Sequence, residues 1–287
     1  MSATQNQTHW TAAVIGESAI LLWAMSAREV LHRHSYARTA LPPQQDLIAA
    51  LGQMDATKSR PVLVAGLDPC LGVEVPAKPA DLTPDRQECD GWQLQVLPNL
   101  MQKSPIALMQ GSGTQIAGFL ALNPKWDGVV CLPGPVTHWV QVSAAEVVSF
   151  QSSLTPSLQS ALCDALDLGS RWAESALTEA VADTLSRSER LASRLAELQA
   201  AVRLKRGDNT EMTGKLWGYL LGAELAAARP YWLGQNLALI AEEELAAPYL
   251  TALTAQGLPV TRAQPDRMSL EGLIQAWRHM QGEGTNL

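Results

Sequence analysis

Residues 11–25 read TAAVIGESAILLWAM, two short apolar runs on either side of a Gly16-Glu17-Ser18 turn. Runs of this length, punctuated by a glycine turn, predict two adjacent strands, Thr11–Ile15 and Ile20–Met25, joined as a hairpin. Downstream, Pro42-Pro43 introduces a helical pattern over residues 44–54. Pro61 then opens Val62-Leu63-Val64-Ala65-Gly66, a continuous apolar run of the kind buried on both faces of a parallel sheet. Strand, helix and strand in alternation predict an α/β fold. The same start recurs later: GVVCL at 128–132 ends in Pro133-Gly134-Pro135, and residues 139–142 and 146–150 form a second hairpin pattern.

Between these starts, residues 68–91 are rich in proline and read as an irregular stretch, followed by a strand at 93–97 and a loop holding Pro98 and Pro105. Gly111-Ser112-Gly113 reads as a helix entrance and a domain junction, which divides the chain into residues 1–108 and 109–287. The pattern is helical from 157 to about 204 and again over 215–228. It then gives a strand at 237–241, a helix at 245–256, a short strand at 260–262 and a closing helix at 269–280. No tandem repeat appears.

The 287 residues suit two domains. A formal net charge of −7 argues against nucleic acid or an anionic membrane as partner, because both need a basic surface. The first apolar stretch, 12–25, is broken at Gly16-Glu17-Ser18, short of the length a membrane span needs, so a cytoplasmic protein is expected. Cys70, Cys89, Cys131 and Cys163 are widely spaced with no Cys-x-x-Cys pair, and read as reduced, mostly buried thiols.

Four segments carry a family resemblance: Gln110-Gly-Ser-Gly-Thr-Gln-Ile-Ala-Gly118, Leu132-Pro-Gly-Pro-Val-Thr-His-Trp-Val140, Gly218-Tyr-Leu-Leu-Gly-Ala-Glu-Leu225 and Leu239-Ile-Ala-Glu-Glu-Glu-Leu245. In order and spacing they resemble RGEETQ-x-x-G, MPGTH-x-KWV, GLLIGAE and LVAGTSL of the 2-dehydro-3-deoxygalactonokinases. The resemblance spans nearly the whole chain. It implies two ribonuclease-H-like, actin-like ATPase domains with an interdomain cleft, and it implies ATP and magnesium as the cofactors of an active member.

The departures are chemical. Where the family's first hairpin carries Asp-Trp-Gly-Ser/Thr, with the Asp expected to help hold magnesium, this chain has Val14, Ile15, Gly16 and Glu17. A valine cannot coordinate a hard cation. The family's arginine at the end of that hairpin is Leu21, Pro135-Val136 replaces Thr-His, and His138 stands where the lysine would be. Glu242, Glu243 and Glu244 stand in place of a Gly-rich turn, where three carboxylates would repel a polyphosphate. The same acids also suit the first turn of the following helix, at its positive dipole end.

The remaining candidates for substrate binding are Gln110, Thr114, Gln115, Thr137 and His138. Gln110-Gly-Ser-Gly-Thr lacks the lysine of a phosphate loop, though a helix N-terminus there could hold a carboxylate or phosphate. A lone histidine beside a strand is more often structural than ligand-binding. His32 and His34 share one strand face without a third ligand, so no metal site is expected. Trp23, Trp139, Trp217 and Trp232 read as core or interface residues. No catalytic residue is assigned.

The sequence thus reads as a catalytically degenerate relative that binds a small sugar acid or a protein partner and needs no cofactor. One alternative is an active ATP-dependent 2-keto-3-deoxy sugar-acid kinase in which Asp68, Glu74 or Asp127 replaces the lost acids. Another is a non-enzymatic scaffold or regulatory subunit, homo-oligomeric in one form, suggested by exposed-helix tryptophans and the 223–228 alanine-rich face.

Overall fold

The computed structural model describes residues 8–54, 56–68 and 70–282. Contacts divide the chain into two units. The first holds residues up to 126 with 143–149 and 265 onward, and the second holds 127–142 with 150–264.

The first unit opens with β1 (Trp10–Ile15), β2 (Ala19–Ser26) and β3 (Glu29–Ala37), followed by α1 (Pro43–Gln53) and β4 (Val62–Ala65). Then come β5 (Gly72–Glu74), β6 (Asp85–Cys89), β7 (Trp92–Val96), β8 (Asn99–Lys103), β9 (Ile106–Met109) and α2 (Gly113–Leu122). Six strands form one sheet in the order β3-β2-β1-β4-β7-β6. β1, β4 and β7 run parallel, while β2 and β6 are antiparallel to their neighbours. All four residues of β4 are buried, as its unbroken apolar run requires when both sheet faces are covered. On one face α1 sets Leu47, Ala50 and Leu51 against Ala13, Ile15, Leu22, Val62 and Val64. The other face carries Trp10, whose ring stacks on Trp277 at 4.7 Å.

The second unit contains β10 (Gly128–Leu132), most of β11 (Thr137–Ser143), the latter half of β12 (Glu146–Ser153), α3 (Thr155–Leu166), α4 (Glu174–Ser186), α5 (Leu191–Arg203), α6 (Asn209–Ala227), α7 (Arg229–Trp232), β13 (Leu237–Ile240), α8 (Glu243–Thr254) and β14 (Val260–Ala263). Its sheet runs β12-β11-β10-β13-β14, with β10, β13 and β14 parallel and β11 antiparallel to β10. The order repeats that of β3-β2-β1-β4-β7, so each unit is built on the same hairpin-led plan.

α6 packs on α4 through Gly214, Gly218 and Gly222. A Cβ at Gly218 would lie 2.3 Å from the Leu177 carbonyl oxygen, and one at Gly222 would lie 2.5 Å from that of Val181. Only glycine lets the two helix backbones come this close. The tryptophans are interior: Trp23, Trp139, Trp217 and Trp232 are all buried. Trp217 of α6 and Trp232 of α7 belong to the second unit's core rather than to an exposed helical face.

Several sequence expectations differ from the structure. The final helix, α9 (Pro265–Met280), belongs to the first unit, as does α2. Gly118 and Gly272 allow these two helices to cross, with a Cβ at Gly272 falling 2.0 Å from the Thr114 carbonyl oxygen. The grouping by contacts therefore differs from a cut at 108/109. Residues 68–91 contain β5 and β6 rather than irregular chain alone, and β8 and β9 form a hairpin where a loop is expected. β6 reads DRQEC, an edge strand with no apolar alternation to reveal it. The helical pattern over 157–204 is broken after α3, where Asp167 turns left-handed at φ 53°. All four cysteines are free, but only Cys131 and Cys163 are buried; Cys89 is half-buried and Cys70 is exposed. Among the described residues no helix is long and apolar enough to cross a membrane.

Candidate functional site

Open α/β sheets bind ligands beyond the carboxyl ends of their parallel strands. In the first unit those ends are Ile15 of β1, Ala65 of β4 and Val96 of β7. Gly66, at φ 81°, follows β4 so closely beside β1 that a Cβ would lie 2.6 Å from the Ile15 carbonyl oxygen. Gly111, at φ 74°, packs against Gly66, where a Cβ would lie 3.3 Å from the Gly66 Cα. Asn99 ties the loops together: its Nδ2 donates to the carbonyl oxygens of Asp68 (2.7 Å) and Leu71 (3.0 Å), and its Oδ1 accepts from the Gly111 N–H at 3.0 Å.

Three of the sequence candidates meet here. Gln110 donates from Nε2 to the Gly66 carbonyl at 2.8 Å, and Thr114 donates from Oγ1 to the Gly111 carbonyl at 2.7 Å. Gln115 is half-buried on the first turn of α2. Thr114 and Gln110 thus shape the backbone of the edge. Behind them, between α2, α9 and the sheet, only about 10 Å³ is open, room for one water at most. A ligand of this edge must lie on its outer side.

Two groups complete the edge. Arg38, absent from the sequence candidates, reaches the β1–β2 turn, where its Nη1 donates to the Gly16 carbonyl oxygen at 3.3 Å and its backbone N–H donates to that of Ser18 at 2.8 Å. Its Nε is held by buried Asp46 at 2.7 Å. Hydrogen bonds from the Thr39 hydroxyl, from Arg38 and from the Thr39 backbone lower the Asp46 carboxyl to about 2. Asp68, one of the alternative acids, lies two residues past Gly66 and accepts from the Cys70 N–H at 2.8 Å through Oδ1. Glu74 instead pairs with Lys103 at 2.5 Å in the small β5-β8-β9 sheet, and Asp127 lies in the second unit. The signal for Arg38 was its return to the Gly16 turn after β3, which no local periodicity announces.

The degraded positions are as apolar or as exposed as their residue types suggest. Val14 pairs with Leu21 and Ala65 and brings no oxygen ligand. Glu17 is exposed in the turn. In the second unit, exposed Pro135 accepts from the Ser157 hydroxyl at 2.7 Å. Glu242 stands at the N-cap position of α8 without a side-chain capping bond, while Glu243 and Glu244 occupy its first turn, with Glu243 paired to Arg262. Among the described residues no three His, Cys, Asp or Glu side chains cluster as a metal site.

Thr137 and His138 lie in the second unit and are both buried. The Nδ1 of His138 is hydrogen-bonded to Ser152 Oγ at 2.9 Å, and its ring meets Phe150 edge-on. Burial lowers its pKa to about 4, so it is neutral at physiological pH and offers an anion no charge. Thr137 joins a network that the sequence did not disclose. Its hydroxyl lies 2.6 Å from that of Tyr249, which donates to Glu224 Oε2 at 3.2 Å, while Trp139 Nε1 donates to Glu224 Oε1 at 2.8 Å. Burial raises the Glu224 pKa, opposed by bonds from Thr155, Trp139 and Tyr249. Burial, with the Glu224 charge second, also pushes the Cys131 thiol well up, leaving it unreactive.

The sequence pattern of the 2-keto-3-deoxy-galactonokinase family matches residues 15–276. A curated Rhizobium meliloti relative carrying the name 2-dehydro-3-deoxygalactonokinase is 27% identical over 196 residues, an alignment that spans 64% of this chain and 64% of that protein. A Sinorhizobium meliloti crystal structure bearing the same activity name superposes with a TM-score of 0.86 at 24% identity, covering 97% of this chain and 99% of its own. Component A of the Acidaminococcus fermentans (R)-2-hydroxyglutaryl-CoA dehydratase superposes at 0.57 with 10% identity, covering 95% and 98%. These likenesses place the fold among the actin-like, ribonuclease-H-like ATPases and sugar kinases.

Proposed function

We propose that this chain, which belongs to the 2-keto-3-deoxy-galactonokinase family, transfers a phosphoryl group from ATP to a 2-keto-3-deoxy sugar acid. The observation that carries this reading is the pair of charges at the carboxyl edge of β1 and β4, with Arg38 on the Gly16 turn and Asp68 beyond Gly66. Phosphoryl transfer asks the protein mainly for positioning and charge neutralisation. A guanidinium held by Asp46 can grip carboxylate or phosphate oxygens with a fixed fork of donors.

Magnesium is usually held by one or two carboxylates together with substrate phosphates. Asp68 fits that role, because only its Oδ1 is engaged among the described residues. A bound magnesium nucleotide would supply the phosphoryl group and offset its charge. The chain's own part is to orient: Asn99 and Gln110 hold the Gly66 and Gly111 backbones, and Arg38 holds the β1–β2 turn. The test is ADP release from magnesium ATP across a panel of 2-keto-3-deoxy sugar acids. Sugar-dependent turnover that falls in Asp68→Asn supports the reading, and its absence across the panel refutes it.

A second reading, binding of a sugar acid without turnover, is favoured by Val14, which leaves β1 without an acid, and by the carboxylates in the first turn of α8. Calorimetric titration of the same sugar acids separates the two, since binding without ADP release selects this one.

A further inference from the structure

α1 covers only part of its face of the first unit's sheet. Past its end, beside the amino ends of β1 and β4, lies a cavity of about 80 Å³. The cross-strand row Thr11, Ala24, His32 runs along the sheet here. Ala24 leaves open the space that a larger side chain would fill. His34 lies two residues along the same strand face, with its ring centroid 6.5 Å from that of His32. Thr57 and Arg60, from the turn ahead of β4, also line the opening.

The lining therefore comprises one arginine, two histidines and three threonines, with Met54, Ala24 and Ala56, and no carboxylate among the described lining residues, on a chain whose net charge is −7. Two imidazoles alone would suit a metal, but no third ligand joins them among the described residues, and the permanent charge of Arg60 opposes a cation. The same groups suit an oxyanion. Arginine offers up to five N–H donors, and each neutral imidazole and hydroxyl offers one more. Since about 10–15 Å³ of such space holds one water, the cavity has room for several waters or for an ion of phosphate size.

We propose that this cavity binds a phosphate group through Arg60, His32 and His34. It lies at the amino ends of β1 and β4, the opposite strand ends from Arg38 and Asp68, and does not depend on the kinase reading. A free phosphate and the phosphomonoester end of a larger ligand share this chemistry.

The test is a titration of isotope-labelled full-length protein at fixed pH, following the ring signals of His32 and His34 by NMR. Separate arms carry inorganic phosphate, methyl phosphate, acetate, and sodium chloride at matched ionic strength. Phosphate should move both histidines saturably, with affinity about tenfold or more weaker in Arg60→Gln and partly restored in Arg60→Lys. Methyl phosphate matching phosphate identifies a site for phosphomonoesters, and a clear preference for phosphate identifies the free ion; both support the assignment. Signals that stay still, that move equally with sodium chloride or acetate, or that respond unchanged in Arg60→Gln overturn it.

Discussion

Arg38 Nε donates to Asp46 Oδ2 at 2.7 Å across the loop between β3 and α1, and the same guanidinium reaches the Gly16 carbonyl at the end of β1. The pair turns a loop arginine into a fixed cation at the carboxyl edge of the sheet. If Arg38 grips an anionic substrate, Arg38→Met should weaken sugar-acid binding by about 1.5–3 kcal/mol, the worth of a charge-assisted hydrogen bond. Calorimetry reads the loss directly, and an unchanged affinity removes Arg38 from the site.

Asp46 gives this brace a pH signature. Its carboxyl titrates at about 2 in the folded protein, against about 3.9 when unfolded. A depressed carboxyl contributes stability that is complete above the unfolded value and is lost as pH falls toward the folded one. The melting-temperature gap between the native protein and Asp46→Asn should therefore be full at neutral pH and shrink between about pH 4 and about pH 2. A constant gap across that window contradicts the geometry.

His138 moves the balance in a different range. Folding lowers its pKa from 6.5 to about 4, so the unfolded chain takes up the proton first as pH drops. Stability is full above about 6.5, falls by about 3 kcal/mol on the way to about 4, and is flat below it for this group. His138→Gln should remove that slope, which denaturant unfolding at a series of pH values measures.

Two glycines in helices should respond in opposite directions. Gly218→Ala drives a methyl to 2.3 Å from the Leu177 carbonyl and 2.6 Å from the Ala180 Cβ, and should cost about 1–3 kcal/mol or more. Gly52→Ala in α1 meets nothing within 4 Å and should stabilise by up to about 1 kcal/mol through helix propensity. Thermal melts of the two variants decide it, and matching effects would mean that the α4–α6 contact is looser than described.

Glu224 separates charge from hydrogen bonding. Glu224→Gln keeps an acceptor for Trp139 Nε1 and removes a carboxylate whose ionisation burial disfavours, so stability should change little. Glu224→Leu leaves the Trp139 N–H without its acceptor, at about 1–3 kcal/mol for that buried group, while the Tyr249 hydroxyl keeps that of Thr137 as partner. Chemical denaturation of both variants reads the difference.

The parallel cores were legible because their chemistry is local. Val62–Ala65 and Gly128–Leu132 are unbroken apolar runs, and both are fully buried strands. The duplicated hairpin start is visible for the same reason, in β1–β2 and β10–β11. Polar edge strands such as β3 and β6 carry no such pattern, since one flank faces solvent and packing does not select their residues.

Which unit a helix joins depends on partners far away in sequence. Gly118 and Gly272 become a crossing only once both are placed, so the sequence alone groups α9 with its chain neighbours. Gln110, Thr114 and Gln115 could be read from the family motif, and the structure sets them at the strand edge. Arg38 could not, because its partners Asp46 and Gly16 lie on different elements. His138 carries a family position into a buried, neutral setting, a change in environment that its residue type does not show.

Phosphorus NMR of the purified protein with magnesium ATP and 2-keto-3-deoxygalactonate tests the proposed activity most directly. The account predicts a phosphomonoester signal that grows as the terminal phosphate of ATP declines, present with the native chain and lost with Arg38→Met. ATP that stays intact in the presence of the sugar acid, under conditions where a family kinase turns it over, would contradict it.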